Sequence, residues 1–452
     1  MKVTVKHAGY QTSMQSSIGH PFPPSMDGLK KIMMDFISKY WTLNRSPVNP
    51  DTDKLIDGIK KEIPEGSIIE AQSGSDCLTW IVPQRWKVRH AMIKDVAGNT
   101  IADYKNSPLH LWMHSVGFKG IVGREELFKH IISDPSRPDE FRFHYRNSFK
   151  YGVREWGFSL PHNIASAMTD DQYHVDISAE LDDNGTIKVF NAFLPGKIKD
   201  TILFMAHTCH PGQVSDGLAN IAVLIELYRH LKALKNRKYS YRFLFGPEFF
   251  AAAAYLEKAS AAEIKNIKYG VYCDMLSSHE PIGFQTSFKG DTLIDAVVEN
   301  VMDSHSNFVI KRGYRQLWGN DETFFNGPGY EIPMAGIGRG MHREYHYNTD
   351  NLENADSYHL VESLWILERI TEVFETDFVP ILKYSGTLYQ SRYGLYIDPT
   401  KDQNAADIME ASQIMMDGTR SIMDIARELN ADYFFIRDFA KKMLELKLIV
   451  KK

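Results

Sequence analysis

Apolar residues recur at intervals of three and four in "MDGLKKIMMDFISKYW" and "DTDKLIDGIKKEI", which predicts that the first ~65 residues are helical. From about Ile68 to Phe149 the pattern breaks into short apolar and aromatic segments such as "CLTWIVP" and "HAMIKDVAGNTIADY", separated by turn residues, and predicts a small β-rich module. The strand-like segments "YHVDISAEL" and "TIKVFNAFL" flank "DDNG", whose Asn-Gly pair predicts a tight hairpin. Beyond it, "TILFMA", "YRFLFG", "YGVYCDML" and "MAGIG" alternate with amphipathic "NIAVLIELYRHLKAL", "AAAAYLEKASAA" and "LIDAVVENVMD". Apolar strands alternating with helices predict an α/β layer around a mostly parallel central sheet, closed near Phe378 by a helix within "ADSYHLVESLWILERITEVFE". The tail from about Gly386 reads as a helix-turn-helix of the winged sort, with a turn at "LNAD" and a final "LKLIV".

Composition narrows the function. A chain of 452 residues with 43% hydrophobic content is long enough for two or three units with a sizeable core. A net charge of -5 does not suit a polyanion binder. In the tail, Arg420, Arg427, Arg437, Lys441, Lys442, Lys447, Lys451 and Lys452 are opposed by Asp417, Asp424, Glu428, Asp432, Asp438 and Glu445, so nucleic acid is not an expected partner and packing or dimerisation is favoured. A homo-oligomer stays open. Three scattered cysteines, Cys77, Cys209 and Cys273, argue for a reducing compartment rather than a disulfide scaffold. With no apolar core in "MKVTVKHAGYQTSM" and no membrane-length apolar run, a soluble, cytoplasmic protein is expected.

The candidate chemistry lies where strands end. In an open α/β sheet, functional groups collect beyond the carboxyl ends of the strands. His207 follows "TILFMA", Glu248 follows "YRFLFGP", Asp274 follows "YGVYC", Asp216 precedes the helix beginning near Leu218, and His346 lies in "REYHYNTDNLEN" ahead of the closing helix. Imidazole nitrogen and carboxylate oxygen together suit zinc, and one carboxylate can bridge two ions. Each residue has a plainer reading by itself: His207 a satisfied polar group, Asp216 a helix cap, Asp274 a turn cap, Glu248 an arginine partner, His346 a surface aromatic. The combination and its order are more specific than any member.

That order, with "HTCHPG", "SDGLAN", "GPEFFAAAAYL", "GNDETFFNGPG" and "EYHYNTDNL", resembles the zinc-dependent aminopeptidase superfamily that includes glutaminyl cyclases and the catalytically inactive transferrin receptor. "TWIVPQRWKVRHAMIKD" and "EWGF" extend the resemblance to a bacterial aminopeptidase-like group with an inserted β-rich domain and a C-terminal winged helix. The resemblance implies a three-layer α/β/α catalytic domain formed by 1–67 and 150–385, an inserted β-rich domain at 68–149 and a winged helix-turn-helix at 386–452. It implies one or two zinc ions, with His207 and Asp274 as terminal ligands of one, Asp216 shared, His346 on the second, and Glu248 as general base. The implied substrate is a peptide or an amide-bearing small molecule, hydrolysed from its N-terminus; a catalytically altered binding protein, or a deacylase or cyclase linked to polysaccharide metabolism, is the alternative.

Two positions depart from the superfamily pattern. Cys209 stands where a carboxylate usually orients the first histidine, and "GPEF" offers one glutamate, followed by Phe249, where the superfamily has a pair. Glu248 is thus either the base, leaving a second ion short of a carboxylate, or a ligand, leaving the base missing; its register after the strand favours the base. Asp321 and Glu322 are expected to hold a substrate ammonium or to replace the missing ligand; His210, His342 and Arg339 lie in the same loops, His210 as a spare ligand or, preferably, a supporting hydrogen-bonding group.

Overall fold

In the computed structural model, which describes residues 25–306 and 308–452, the two leading helices form as their periodicity predicts. Helix α1 (Met26–Tyr40) buries Leu29, Met33, Ile37 and Tyr40 along one face and is capped by Ser25. Helix α2 (Pro50–Glu62) starts with Pro50 behind the cap Asn49.

The central sheet has eight strands: β1 (Ser67–Gln72), β2 (Thr186–Leu194), β3 (Thr201–His207), β4 (Ser240–Gly246), β5 (Ile267–Asp274), β6 (Gly283–Gln285), β7 (Ile310–Arg312) and β8 (Met334–Gly338). Their order is β1-β2-β4-β3-β5-β8-β6-β7. The four middle strands β4, β3, β5 and β8 run parallel, while β1, β2 and β6 join antiparallel. Strands β3 and β4 are buried at every position, which explains why they read as unbroken apolar runs.

Alternate residues of β3 serve two cores. Ile202, Phe204 and Ala206 pack with α1, α3 (Leu218–Ala233), α5 (Leu293–His305) and α6 (Ser357–Thr376). Leu203 and Met205 pack on the other face with α4 (Phe250–Lys258). This is a sheet with helices on both sides, the expected α/β class. The alanine-rich run ends sooner than its composition suggests, because extended Ala259 breaks it and Ser260 caps a separate helix, Ala261–Asn266, with Glu263.

The predicted hairpin does not form. Gln172–Asp182 instead becomes the third strand of a four-stranded antiparallel sheet, in the order Thr100–Asp103, Arg85–Lys94, Gln172–Asp182, Phe118–Gly123. Thr186–Leu194 pairs within the central sheet with β1 and β4. Burial decides this: Tyr173, Val175 and Ile177 pack into the core of the small sheet, whereas Ile187 and Val189 pack against α4. The "DDNG" turn passes the chain between layers, its Gly185 carbonyl bound by the Ser73 amide at 2.9 Å.

The tail forms helices Gln403–Met415, Ile422–Leu429 and Tyr433–Glu445 and a strand, Ile449–Lys451, paired antiparallel with Pro380–Leu382. Its last helix turns inward: Tyr433, Phe434, Ile436, Phe439, Ala440 and Met443 are buried. Among the described residues no helix is long and apolar enough to cross a membrane. Arg437, also buried, meets buried Glu372 of α6 at 2.5 Å. Breaking the pair leaves the buried Arg437 with Asp438, an exposed carboxylate, as its remaining ion-pair partner. Glu372→Ala should therefore cost about 3 kcal/mol, read as a lowered denaturant midpoint at unchanged slope.

Candidate metal centre

His207 is the last residue of β3 and Asp274 the last of β5, neighbouring strands, so the sheet itself brings them together. The chain between β3 and α3 then turns sharply to deliver Asp216. Gly217 makes that turn possible: its φ is +103°, and a Cβ there would lie 2.4 Å from the Cys209 carbonyl and 2.9 Å from the His207 ring. His346 arrives from the loop before α6, itself at φ +62°.

The four groups converge. His207 Nε2 lies 3.1 Å from Asp216 Oδ1 and 3.4 Å from Asp274 Oδ1. His346 Nε2 lies 3.1 Å from Asp216 Oδ2. His210 joins them, with Nδ1 3.6 Å from Asp216 Oδ1. Asp216 thus belongs to two buried triads, His207/Asp216/Asp274 and His210/Asp216/His346, each with its donor atoms within 4.8 Å of one another. Of the two roles the sequence leaves to His210, spare ligand or supporting group, its place in the second triad is compatible with the ligand.

The donor set fits a divalent cation on the atoms themselves. His346 Nε2, His210 Nδ1 and Asp216 Oδ2 are buried without hydrogen-bond partners among the described residues. Unsatisfied buried polar atoms are costly, and these converge on the Asp216 carboxylate, 3.1 Å from His346 Nε2 and 3.6 Å from His210 Nδ1. Nitrogen and carboxylate oxygen in tetrahedral-scale spacing are the ligands that zinc takes.

Electrostatics agrees. Burial opposes ionisation of Asp216, yet the surrounding His210, His207 and His346 hold its carboxyl well below the usual range. Burial would lower His207, but its contacts with Asp216 and Asp274 outweigh that and hold the imidazole well above its ordinary value. Burial, joined by the neighbouring His346 and His207 and opposed by Asp216, pushes His210 down to about 3. Asn220, on the first turn of α3, donates to Asp274 Oδ1 at 3.3 Å and accepts from the Leu276 amide at 3.0 Å, fixing the carboxylate's rotation. Cys209, standing where the superfamily usually has a carboxylate, is the side chain beside the His207 ring and favours its protonated form.

Glu248 stands beside the cluster, its Oε2 3.7 Å from His210 Nε2, and burial pushes its carboxyl up to about 8. Its backbone is unusual. The Phe250 amide bonds the Glu248 carbonyl at 2.8 Å across Phe249, whose φ of +63° and ψ of -42° make this the rare, strained form of γ-turn. The Glu248 amide donates to Cys209 Sγ at 3.1 Å. Glu248, Cys209 and His210 border a hollow of about 10 Å³ with Pro47, Met113, Tyr145 and Phe149, space for roughly one water.

Asp321 and Glu322 lie behind the turn that carries Glu248. Both are fully buried. Asp321 accepts from the amides of Phe249 at 3.0 Å and Ala252 at 2.9 Å, holding the strained turn and the start of α4. Glu322 accepts from the Asn320 amide and from Gln285 Nε2. Asp321 thereby holds Phe249 and the start of α4, and Glu322 holds Gln285 and the Asn320 amide. His342 is buried, and Arg339 is bound to Glu362 and to the carbonyls of Leu276 and Glu280.

Sequence reasoning missed the roof. Phe143 and Tyr145 lie edge-on to His346 with ring centres 5.6 and 5.1 Å away, and the Phe143 amide bonds the His346 carbonyl at 2.7 Å. Phe249 stacks on Trp80 at 5.3 Å. Aromatic residues before a loop carry no sequence signal that distinguishes such a cover from an ordinary core.

Comparison with known proteins agrees with this geometry. Residues 34–377 match the model of a family described as a domain of unknown function, DUF4910. A Clostridium acetobutylicum protein, provisionally described as a polysaccharide biosynthesis protein with an aminopeptidase-like domain, is 31% identical over 321 residues, covering 70% of this chain and 72% of that one. A crystal structure of a provisionally assigned peptidase from Clostridium acetobutylicum superposes with a TM-score of 0.84 at 25% identity, over 94% of this chain and 98% of that one. BSAP, a zinc aminopeptidase from Bacillus subtilis, shares the fold at a TM-score of 0.54 and 13% identity, over 75% of this chain and 94% of that one. The chain therefore belongs to the DUF4910 family, and its fold is that of the zinc aminopeptidases.

Proposed function

We propose that the protein is a zinc-dependent hydrolase of peptide or amide bonds. The observation that carries this reading is the shared position of Asp216 between two buried His/Asp triads, with Glu248 alongside. His207 and Asp274 would hold one ion and His346 with His210 a second, Asp216 serving both. Zinc, when bound, supplies Lewis-acid polarisation of the scissile carbonyl and acidifies a water.

The chain's own residues supply the rest. Glu248 takes the proton of the attacking water on its side-chain carboxylate and returns it to the leaving nitrogen. Its half-buried place in one hollow with Phe149 and Tyr145 raises the proton affinity of that carboxylate, as a proton carrier near neutrality requires. The γ-turn at Phe249, tied by Asp321, fixes where Glu248 points. Cys209 accepts the Glu248 amide and so links the base to the loop carrying His210.

An aminopeptidase is the first reading of the substrate, by likeness of fold and ligand order. One observation favours a second: with the Asp321 and Glu322 carboxylates engaged by backbone and Gln285, these residues leave no anion for a substrate's free ammonium. An acyl-amide substrate needs none. The relative described as a polysaccharide biosynthesis protein adds support for that branch.

Comparing an amide substrate with a free N-terminus against its N-acetylated counterpart should separate the two, a preference for the free amine favouring the aminopeptidase. Glu248→Gln should lower kcat by about 10³-fold while metal content stays at the wild-type level; loss of the metal would make Glu248 a ligand instead. Because His207 is held protonated at neutral pH in the metal-free protein and binds a cation only as neutral imidazole, zinc binding should release a proton. Affinity should then rise with pH from 6 to 8, measured by titration calorimetry in buffers of different ionisation enthalpy.

A further inference from the structure

The segment from Thr208 to Gly217 carries His210 and Asp216 yet forms neither helix nor strand. Two buried charges of opposite sign hold it. Arg45, with no exposed surface, donates Nε to the Thr208 carbonyl at 3.0 Å and Nη2 to the carbonyls of His210 and, at 2.6 Å, Gln213. Its Nη1 donates to the Tyr40 and Trp41 carbonyls, each at 3.1 Å, and so anchors the guanidinium to the end of α1. All five of its N–H groups are spent on carbonyls.

Asp350 mirrors it from the other side. Its carboxylate accepts the amides of Ser215 at 2.7 Å and Asp216 at 3.0 Å, and its carbonyl accepts the Val214 amide at 3.2 Å. A cation thus gathers the loop's carbonyls and an anion its amides. Burying a guanidinium without a carboxylate against it carries a heavy desolvation cost, which an ordinary loop gives no reason to bear. Asp350 also lies four residues after His346, so the same carboxylate ties the His346 loop to Asp216.

We propose that Arg45 and Asp350 are positioning residues of the metal centre, setting the shape of the 208–217 loop so that His210 and Asp216 meet His346. The proposal rests on the metal-centre reading above. His207 and Asp274 are held by the sheet as ends of β3 and β5, so Arg45 acts on the His210/His346 half and leaves the His207/Asp274 half largely alone.

The test is Arg45→Lys, which keeps the charge but offers at most three hydrogens from one point. In the metal-free protein, amide hydrogen exchange over 208–217 should quicken about tenfold while β3 and α3 keep their protection. In a cobalt titration, the wild type should take up two ions, and the variant should bind the first almost as well and the second about 10- to 100-fold more weakly. Asp350→Asn, which loosens the shared Asp216, should weaken both ions. Wild-type exchange rates in the Arg45→Lys loop, or equal weakening of both ions by Arg45→Lys, would overturn the positioning role. A wild-type protein that takes up no cobalt would defeat the metal centre itself and this role with it, a result the exchange measurement keeps distinct. Should Arg45→Lys fail to fold, the wild type decides: in protein labelled with ¹⁵N-arginine, Arg45 should show a protected Nε–H and separate Nη signals, and one averaged, fast-exchanging signal would overturn the proposal.

Discussion

The carboxylate of Asp216 is buried among three imidazoles, and that single burial constrains everything around it. An ionised carboxylate in such a place is expensive unless positive charge surrounds it. His207 ends β3 while His210 and His346 come from two different loops, and each must be held in place against the others. The parallel strands give two fixed points, the ends of β3 and β5, and Gly217 lets the chain fold back over them. What remains irregular is braced by buried polar contacts: Asn220 on Asp274, Asp350 on the Asp216 amide, Arg45 on the carbonyls between.

The base is placed by a second, independent device. The turn at Phe249 is strained, and strain persists only where neighbours over-determine the backbone. Asp321 supplies two amide contacts there, while Trp80 stacks on the Phe249 ring. Phe143 and Tyr145, approaching from beside the small antiparallel sheet, close over the histidines and keep water scarce. Low water content strengthens each electrostatic contact in the cluster.

The layers of the fold were legible because burial writes itself into periodicity. β3, β4 and β5 read as apolar runs, and the helices on either face as three-to-four patterns. The hairpin was misread because Asn-Gly reports a sharp turn and says nothing about which sheet each flank joins. Of the centre, His207, Asp216, Asp274, His346 and Glu248 stood out by type and by their place after strands. His210 was harder to assign, since only space shows it beside the shared carboxylate. Arg45 and Asp350 gave no signal at all: a lone arginine after a helix and an aspartate in a polar loop look solvated until folding buries them. Asp321 and Glu322 stood out as adjacent acidic residues, but their contacts with backbone amides and Gln285 show only in space.

The central claim is that Asp216 is shared by two cation positions. Anomalous diffraction from crystals of the protein soaked in zinc tests it most directly. The account predicts two peaks flanking the Asp216 carboxylate, one against His207 and Asp274 and the other against His346 and His210. No peak within bonding reach of Asp216, or zinc found only elsewhere on the molecule, would contradict it.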